Sequence, residues 1–199
     1  MPAPPSLGSV CEVRPELDHD MSSTAPKHPT AEARQNEFRR AWSKFATGVT
    51  VITTVEPDGA VHGMTANGVT SVSLSPPMAL LCVGHDRNTY RLIKSNGRFG
   101  INILSSGQQS VASHYAQPPE KRNPAVMFDF EDLGKTPVLK GALASMDCRV
   151  VAAHEAGDHT IFVADVEHIT VGEGDPLLWY GGSFGDLRRG GRGDAKSDT

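Results

Sequence analysis

The sequence predicts a mainly β domain, a barrel of antiparallel strands with a few flanking helices. Three observations carry this. Short runs rich in Val, Ile and Thr recur at close spacing, with Gly, Pro, Asn and Asp between them. Helical periodicity appears only at the margins of these runs. Strands do not alternate with long helices, as a parallel α/β sheet requires.

The 199 residues suffice for one domain with a core. Residues 1–29 are rich in Pro, Ser and charge, lack periodicity, and read as a disordered tail. Met21 within them is a possible alternative start. Residues 188–199, rich in Gly, Arg and Asp, read the same way, leaving a domain over 30–187. Thr30 is an N-cap candidate. Phe38, Ala41, Trp42 and Phe45 follow at helical spacing, forming an apolar face that packs on a core, and Gly48 ends the helix. Val49–Val55 reads as a β-branched strand, Pro57-Asp58-Gly59 as a turn, and the chain from Ala60 as its hairpin partner. Val69–Leu74 alternates as a half-buried strand, and Met78–Val83 is continuously apolar and central. Asp86–Ser95 reads as a helix closed by Asn96-Gly97.

Phe99–Leu104 is a further strand and Gln108–Ala116 a further helix. Pro118–Phe130, with Pro-Pro, Lys121-Arg122 and Pro124, is long enough to read as a functional or partner-contacting loop. Ala142–His154 and His159–Val171 form a second hairpin through Glu155-Ala156-Gly157-Asp158. Leu177–Tyr180 closes the set before Gly181-Gly182. These six or seven strands argue for a closed barrel.

Composition excludes several functions. The net charge of -4 provides no general basic surface for nucleic acid. No apolar run approaches the ~20 residues that span a bilayer, and no apolar h-region marks a secretory signal. Cys11, Cys82 and Cys148 are odd in number and lack C-x-x-C spacing, which fits a reducing cytoplasm rather than a disulfide framework or zinc site. Cys82 and Cys148 read as core residues. There is no G-x-G-x-x-G in a strand-to-helix context, no phosphate-binding G-x-x-x-x-G-K-S/T loop, and no G-x-S-x-G elbow. His154 and His159 flank one turn without paired ligands, so no metal site is expected.

The richest segment is Gly63-Met64-Thr65-Ala66-Asn67-Gly68-Val69-Thr70-Ser71-Val72-Ser73-Leu74-Ser75-Pro76-Pro77. Its bland reading is a hairpin whose Thr and Ser face solvent. Its functional reading is a binding wall. Small residues, backbone N–H groups and short donors such as Thr65, Ala66, Asn67 and Ser71 suit a planar ligand with a polar edge, such as isoalloxazine. Gly84-His85-Asp86-Arg87-Asn88-Thr89 follows one strand later. Arg87, Asn88, Thr89 and a helix N-terminus together suit a phosphate.

These segments are similar to the flavin reductase-like family of FMN-binding split-barrel proteins. Phe45-Ala46-Thr47-Gly48-Val49-Thr50-Val51-Ile52-Thr53-Thr54, Phe99–Ser105 with Gln108, Leu139–Cys148, Gly157–Phe162 and Pro176–Tyr180 with Gly182 and Phe184 resemble further landmarks in the same order. The resemblance runs from Phe38 to Leu187. It implies an antiparallel, Greek-key-like split barrel and a homodimer, with the flavin partly at the subunit interface. It implies flavin contacts from Thr65, Ala66, Asn67, Ser71, Val72, Ser73, Cys82 and Val83. Phosphate contacts fall to Arg87, Asn88 and Thr89, and flavin-side aromatics to Tyr180 and Phe184. His159, in Gly157-Asp158-His159, is then the catalytic residue, beside the incoming nicotinamide. The implied activity is NAD(P)H-dependent reduction of FMN or FAD by hydride transfer to N5, with reduced flavin supplied to a separate monooxygenase. A flavin-binding module or carrier without turnover and a flavin-dependent oxidase stay open, as do FMN against FAD and NADH against NADPH.

Overall fold

The structure is a computed structural model that describes residues 29–187. Both expected tails lie outside the described residues, except Pro29, and so does Cys11.

Helix α1, Ala31–Trp42, begins as expected, with the Ala33 N–H donating to Thr30 Oγ1 at 3.2 Å. It contains no buried residue, which corrects the expectation of a core-facing helix. Trp42 and Phe45 remain exposed and meet edge-on at 5.7 Å.

Seven strands form one antiparallel sheet: β2 (Thr50–Val55), β3 (Val61–Ala66), β4 (Val69–Leu74), β5 (Pro77–Gly84), β6 (Arg98–Ile103), β9 (Ala144–Ala156) and β10 (His159–Val171). Their order is β3-β2-β6-β9-β10-β5-β4. A second sheet joins β1 (Thr47–Gly48), β11 (Leu177–Tyr180) and β12 (Ser183–Asp186), and β7 (Phe130–Leu133) pairs with β8 (Thr136–Leu139). Helix α2, Asn88–Asn96, ends on Gly97 at φ 65°, and α3 spans Gln109–Ala116.

The edges explain the shape. β3 and β4 lie at opposite ends of the seven-strand order, yet only Asn67 and Gly68 separate them in sequence. Three Cα–Cα steps reach at most roughly 11 Å. The sheet must therefore curl until its edges approach, forming a barrel. β3 and β4 do not pair, so hydrogen-bonded closure, as expected from sequence, gives way to a barrel with an open seam.

Strand β2 is buried on both faces. Ile52 joins Leu81, Phe99, Ile101 and Phe162 inside the barrel, while Val51 joins Leu104, Val111, Ala112 and Tyr115 under α3. Asn102, fully buried, fixes the β2–β6–β8–β9 junction: its amide donates to Val51 O and Thr53 Oγ1, and its oxygen accepts from Leu139 N and Ser145 Oγ.

Candidate functional site

A cavity of about 540 Å³ opens at the seam. The end of β3 with Asn67-Gly68 forms one wall, and Cys82–Gly84 of β5 a second. The corner Asp86–Thr89 and the segment Tyr115–Glu120 with Arg122 complete the lining. His159 stands at the mouth because it starts β10 opposite Gly84. That register follows from the tight turn at Gly157-Asp158, where Gly157 adopts φ 64°.

The cavity thus gathers Thr65, Ala66, Asn67, Cys82, Val83, Arg87, Asn88, Thr89 and His159. An adjoining apolar cavity of about 380 Å³ shares Thr65, Ala66 and Asn67 and is lined by Val49, Trp179 and Phe184. Trp179 and Phe184 pack edge-on at 4.9 Å. Ser71, Val72, Ser73 and Tyr180 line neither cavity. The β4–β5 register shifts between Ser71 and Ser73, and Val72 and Tyr180 are exposed.

Small residues keep the backbone open. A Cβ on Gly84 would lie 2.8 Å from Asp86 Oδ1 and 3.6 Å from His159 Nε2. No side chain caps the α2 N-terminus, where Asn88 and Thr89 meet the cavity, so its first N–H groups are available to an anion. Arg87 lies beside them, in a long 3.4 Å contact with Asp86. A planar, phosphate-bearing group such as a flavin mononucleotide fits this combination: polar backbone along one wall, an apolar chamber beside it, and a cationic end.

Two hydroxyls expected to face the ligand are committed elsewhere. Thr65 Oγ1 donates to Ala112 O of α3 at 2.7 Å. Thr89, almost fully buried, bonds to His62 Nε2 at 2.9 Å, and His62 Nδ1 meets Glu56 Oε1 at 2.7 Å. Burial holds the His62 pKa below its ordinary value, although Glu56 opposes this. The imidazole is then neutral. Glu56 accepts only, so Nδ1 carries the proton and Nε2 accepts the Thr89 hydroxyl. Thr89 therefore offers the cavity its backbone N–H rather than its side chain. Asn67 Nδ2 has one weak partner, Thr47 Oγ1 at 3.4 Å.

His159 is half-exposed, and its Nδ1 lies 2.7 Å from Asp158 Oδ1. The hydrogen bond from His159 holds the Asp158 carboxyl below the usual carboxylate range. Nε2 is left for another partner. Cys82 lines the cavity half-buried, with burial pushing its thiol pKa up, while Cys148 is fully buried as expected.

Sequence reasoning missed His62, Tyr115, Trp179 and Arg122. The Lys121-Arg122 pair in a long Pro-rich loop was the only signal for the last. Arg122 Nε donates to Gln117 O at 3.0 Å, Nη2 donates to Gly63 O at 2.9 Å, and the guanidinium stacks over Tyr115 at 5.0 Å. Away from the cavity, Asp147, Glu167 and His168 bring ligand-type atoms together. Arg98 already bridges the two carboxylates there, at 2.6 and 2.8 Å.

Residues 42–188 match the model of the flavin reductase like domain. The chain is 41% identical over 157 residues to a Rhodococcus NADH-dependent flavin reductase, covering 78% of this chain and 88% of that protein. It is 40% identical over 149 residues to the reductase component of a 4-nitrophenol 4-monooxygenase/4-nitrocatechol 2-monooxygenase of Rhodococcus opacus, covering 75% and 79%. The solved flavin reductase PheA2 superposes with a TM-score of 0.72 at 44% identity, covering 77% of this chain and 98% of that one. The chain belongs to the flavin reductase-like family.

Proposed function

We propose that this protein oxidises NADH and reduces FMN or FAD, and that the reduced flavin feeds a separate monooxygenase. The observation that carries the reading is the seam cavity, with an uncapped helix N-terminus and Arg87 at one end and unpaired β3-edge backbone along its wall. The relatives' activities support the redox partners.

When bound, the flavin supplies N5, which accepts a hydride from the nicotinamide. Everything else falls to this chain. Arg87 and the N–H groups of Asn88 and Thr89 hold the phosphate. The Thr65–Gly68 backbone and the Asn67 amide would face the ring edge, and Trp179 and Phe184 would offer apolar contact. Cys82 and Val83 form the floor. His159, steadied by Asp158, orients the nicotinamide carboxamide at the mouth. Such positioning lowers the barrier by fixing donor and acceptor before reaction.

Ser71, Val72, Ser73 and Tyr180 reach a flavin only if a second copy of the chain brings one to them. A homodimer is part of the proposal. Val72 and Leu74 on β4, and Ile169 and Val171 on β10, are exposed apolar side chains that support it. No helix among the described residues is long and apolar enough to cross a membrane. The absence of a disulfide framework supports a cytoplasmic setting.

The test is steady-state oxidation of NADH and NADPH by the purified protein with FMN and with FAD. Turnover that requires added or bound flavin is expected. Flavin binding without turnover would overturn the enzymatic reading.

A further inference from the structure

Besides Arg87, the cavity is lined by a second guanidinium, Arg122, which the flavin mononucleotide reading does not use. Arg122 is half-buried, and its assigned partners are all neutral: Gln117 O, Gly63 O and the face of Tyr115. Among the described residues no carboxylate lies within ion-pair distance of it; Glu56 and Glu120 act from farther away. Burial lowers the pKa of this guanidinium, and Tyr115, Glu120 and Glu56 offset that only in part. A guanidinium has five N–H donors, and two are taken by the carbonyls.

Its position is built rather than incidental. Tyr115 is buried and packed against Phe128 at 5.6 Å. The ring reaches the β3 backbone only because residue 63 is glycine: a Cβ there would lie 2.6 Å from two ring atoms. Gly63 thus seats Tyr115, Tyr115 seats Arg122, and Arg122 lines the same cavity as Arg87. A group fixed in this way before binding loses little entropy when it meets a ligand.

A flavin mononucleotide brings one phosphate, and Arg87 with the α2 N-terminus accounts for it. We infer that Arg122 recognises a second phosphate, the pyrophosphate of a dinucleotide held in the same cavity. This rests on the flavin-site reading above. A planar guanidinium stacked on an aromatic ring matches phosphate oxygens better than a lysine ammonium does. Two dinucleotides have the required chemistry, NADH and FAD, and the experiment separates them.

Arg122→Gln and Arg122→Lys are compared with wild type in FMN and FAD titrations and in turnover with two donors. One donor is NADH; the other is 1-benzyl-1,4-dihydronicotinamide, which carries no phosphate. For Arg122→Gln, the ratio of kcat/KM for NADH to that for the phosphate-free donor should fall roughly 10- to 100-fold, with FMN affinity moving far less. A selective loss of FAD affinity over FMN affinity would place the second phosphate on the flavin instead and equally support the inference. Parallel losses with both donors and with FMN would overturn it, reducing Arg122 to a prop of the wall. So would wild-type values throughout. If Arg122→Gln does not fold, Arg122→Lys should still show an intermediate, donor-selective loss, and wild-type behaviour from it would refute the assignment. If wild-type protein oxidises neither donor with FMN or FAD, the flavin-reductase reading itself falls, and the inference with it.

Discussion

Gly63→Ala tests how the seam wall is assembled. The new methyl would lie 2.6 Å from Tyr115 Cδ1 and Cε1 and 3.1 Å from Cγ. Unstrained carbon contacts sit near 3.5–4.0 Å, so the ring must retreat by about 1 Å. It has little freedom to do so. Tyr115 packs against His114 at 4.9 Å and Phe128 at 5.6 Å, and Arg122 lies over its face. Overpacking of this kind costs about 1–3 kcal/mol, while replacing glycine restricts the unfolded chain and returns about 0.4–1 kcal/mol. The net loss is then about 0–2.6 kcal/mol, centred near 1.3, a fall in Tm of about 3–5 °C at the centre for a domain of this size.

Thermal unfolding of Gly63→Ala, Tyr115→Ala and the double variant measures this directly. Tyr115→Ala removes the ring that the methyl strikes. Adding Gly63→Ala to it should therefore cost little or even stabilise, and the two changes should be strongly non-additive. Gly63→Ala should also raise KM for NADH, because Arg122 loses its seat. Additive losses, or a single variant with wild-type Tm and KM, would refute the account of Gly63 as the position that lets the wall close.

Asn67→Leu should weaken flavin binding by about 1–3 kcal/mol, because it removes a ring-edge donor and adds bulk; wild-type affinity in a flavin titration would remove Asn67 from the site. His159→Ala should lower kcat/KM for NADH about 5- to 150-fold while flavin affinity stays near wild type, and an unchanged kcat/KM would leave His159 as a hairpin residue. Asp147→Asn addresses stability. Burial pushes the Asp147 carboxyl up, but hydrogen bonds from Arg98, Thr136 and the Lys135 N–H outweigh this and hold it below the usual range. The native state therefore gains stability above the ordinary carboxylate pKa, near 4, and loses it as pH falls through the lower folded value. The variant should lose about 3–5 kcal/mol at neutral pH and show a flatter acid limb in urea titrations; a parallel pH profile would count against this.

Periodic and turn signals made most of the fold legible. β10 spans His159–Val171, the range expected for the second arm of the late hairpin, and Gly97 ends α2 in the left-handed region. The β7–β8 hairpin was missed because Pro137 disguises β8 as a loop. There the proline's carbonyl is what the fold uses, accepting from Thr53 Oγ1 at 2.5 Å. β12 was hidden by its own glycine and by Gly181-Gly182 just before it. Within the site, residue types were legible but directions were not. The donor-rich run from Thr65 reads as a ligand wall, yet only tertiary structure shows that Thr65 turns its proton to Ala112 O and Thr89 to His62. Arg122 could not be found by spacing, since its meaning depends on Tyr115 and Gly63, each contributed by a different element.

The seam itself connects fold to function. An unpaired strand edge is normally a liability, covered or charged to prevent association. A fully closed barrel would have removed it by pairing β3 with β4 and would have consumed the backbone groups around Thr65–Gly68. The two-residue link at Asn67-Gly68 keeps the edges close, yet they do not pair. What remains is a strand edge with no ladder partner, between an apolar chamber and the N-terminus of a helix. Buried backbone polar groups require partners. Along this edge Arg122 takes Gly63 O, the Thr50 hydroxyl donates to Ala66 O at 2.7 Å, and Gly68 O accepts from the Cys82 N–H at 2.8 Å. In the proposed function the split in the barrel is the binding site, and a flavin would lie along the edge that no strand pairs.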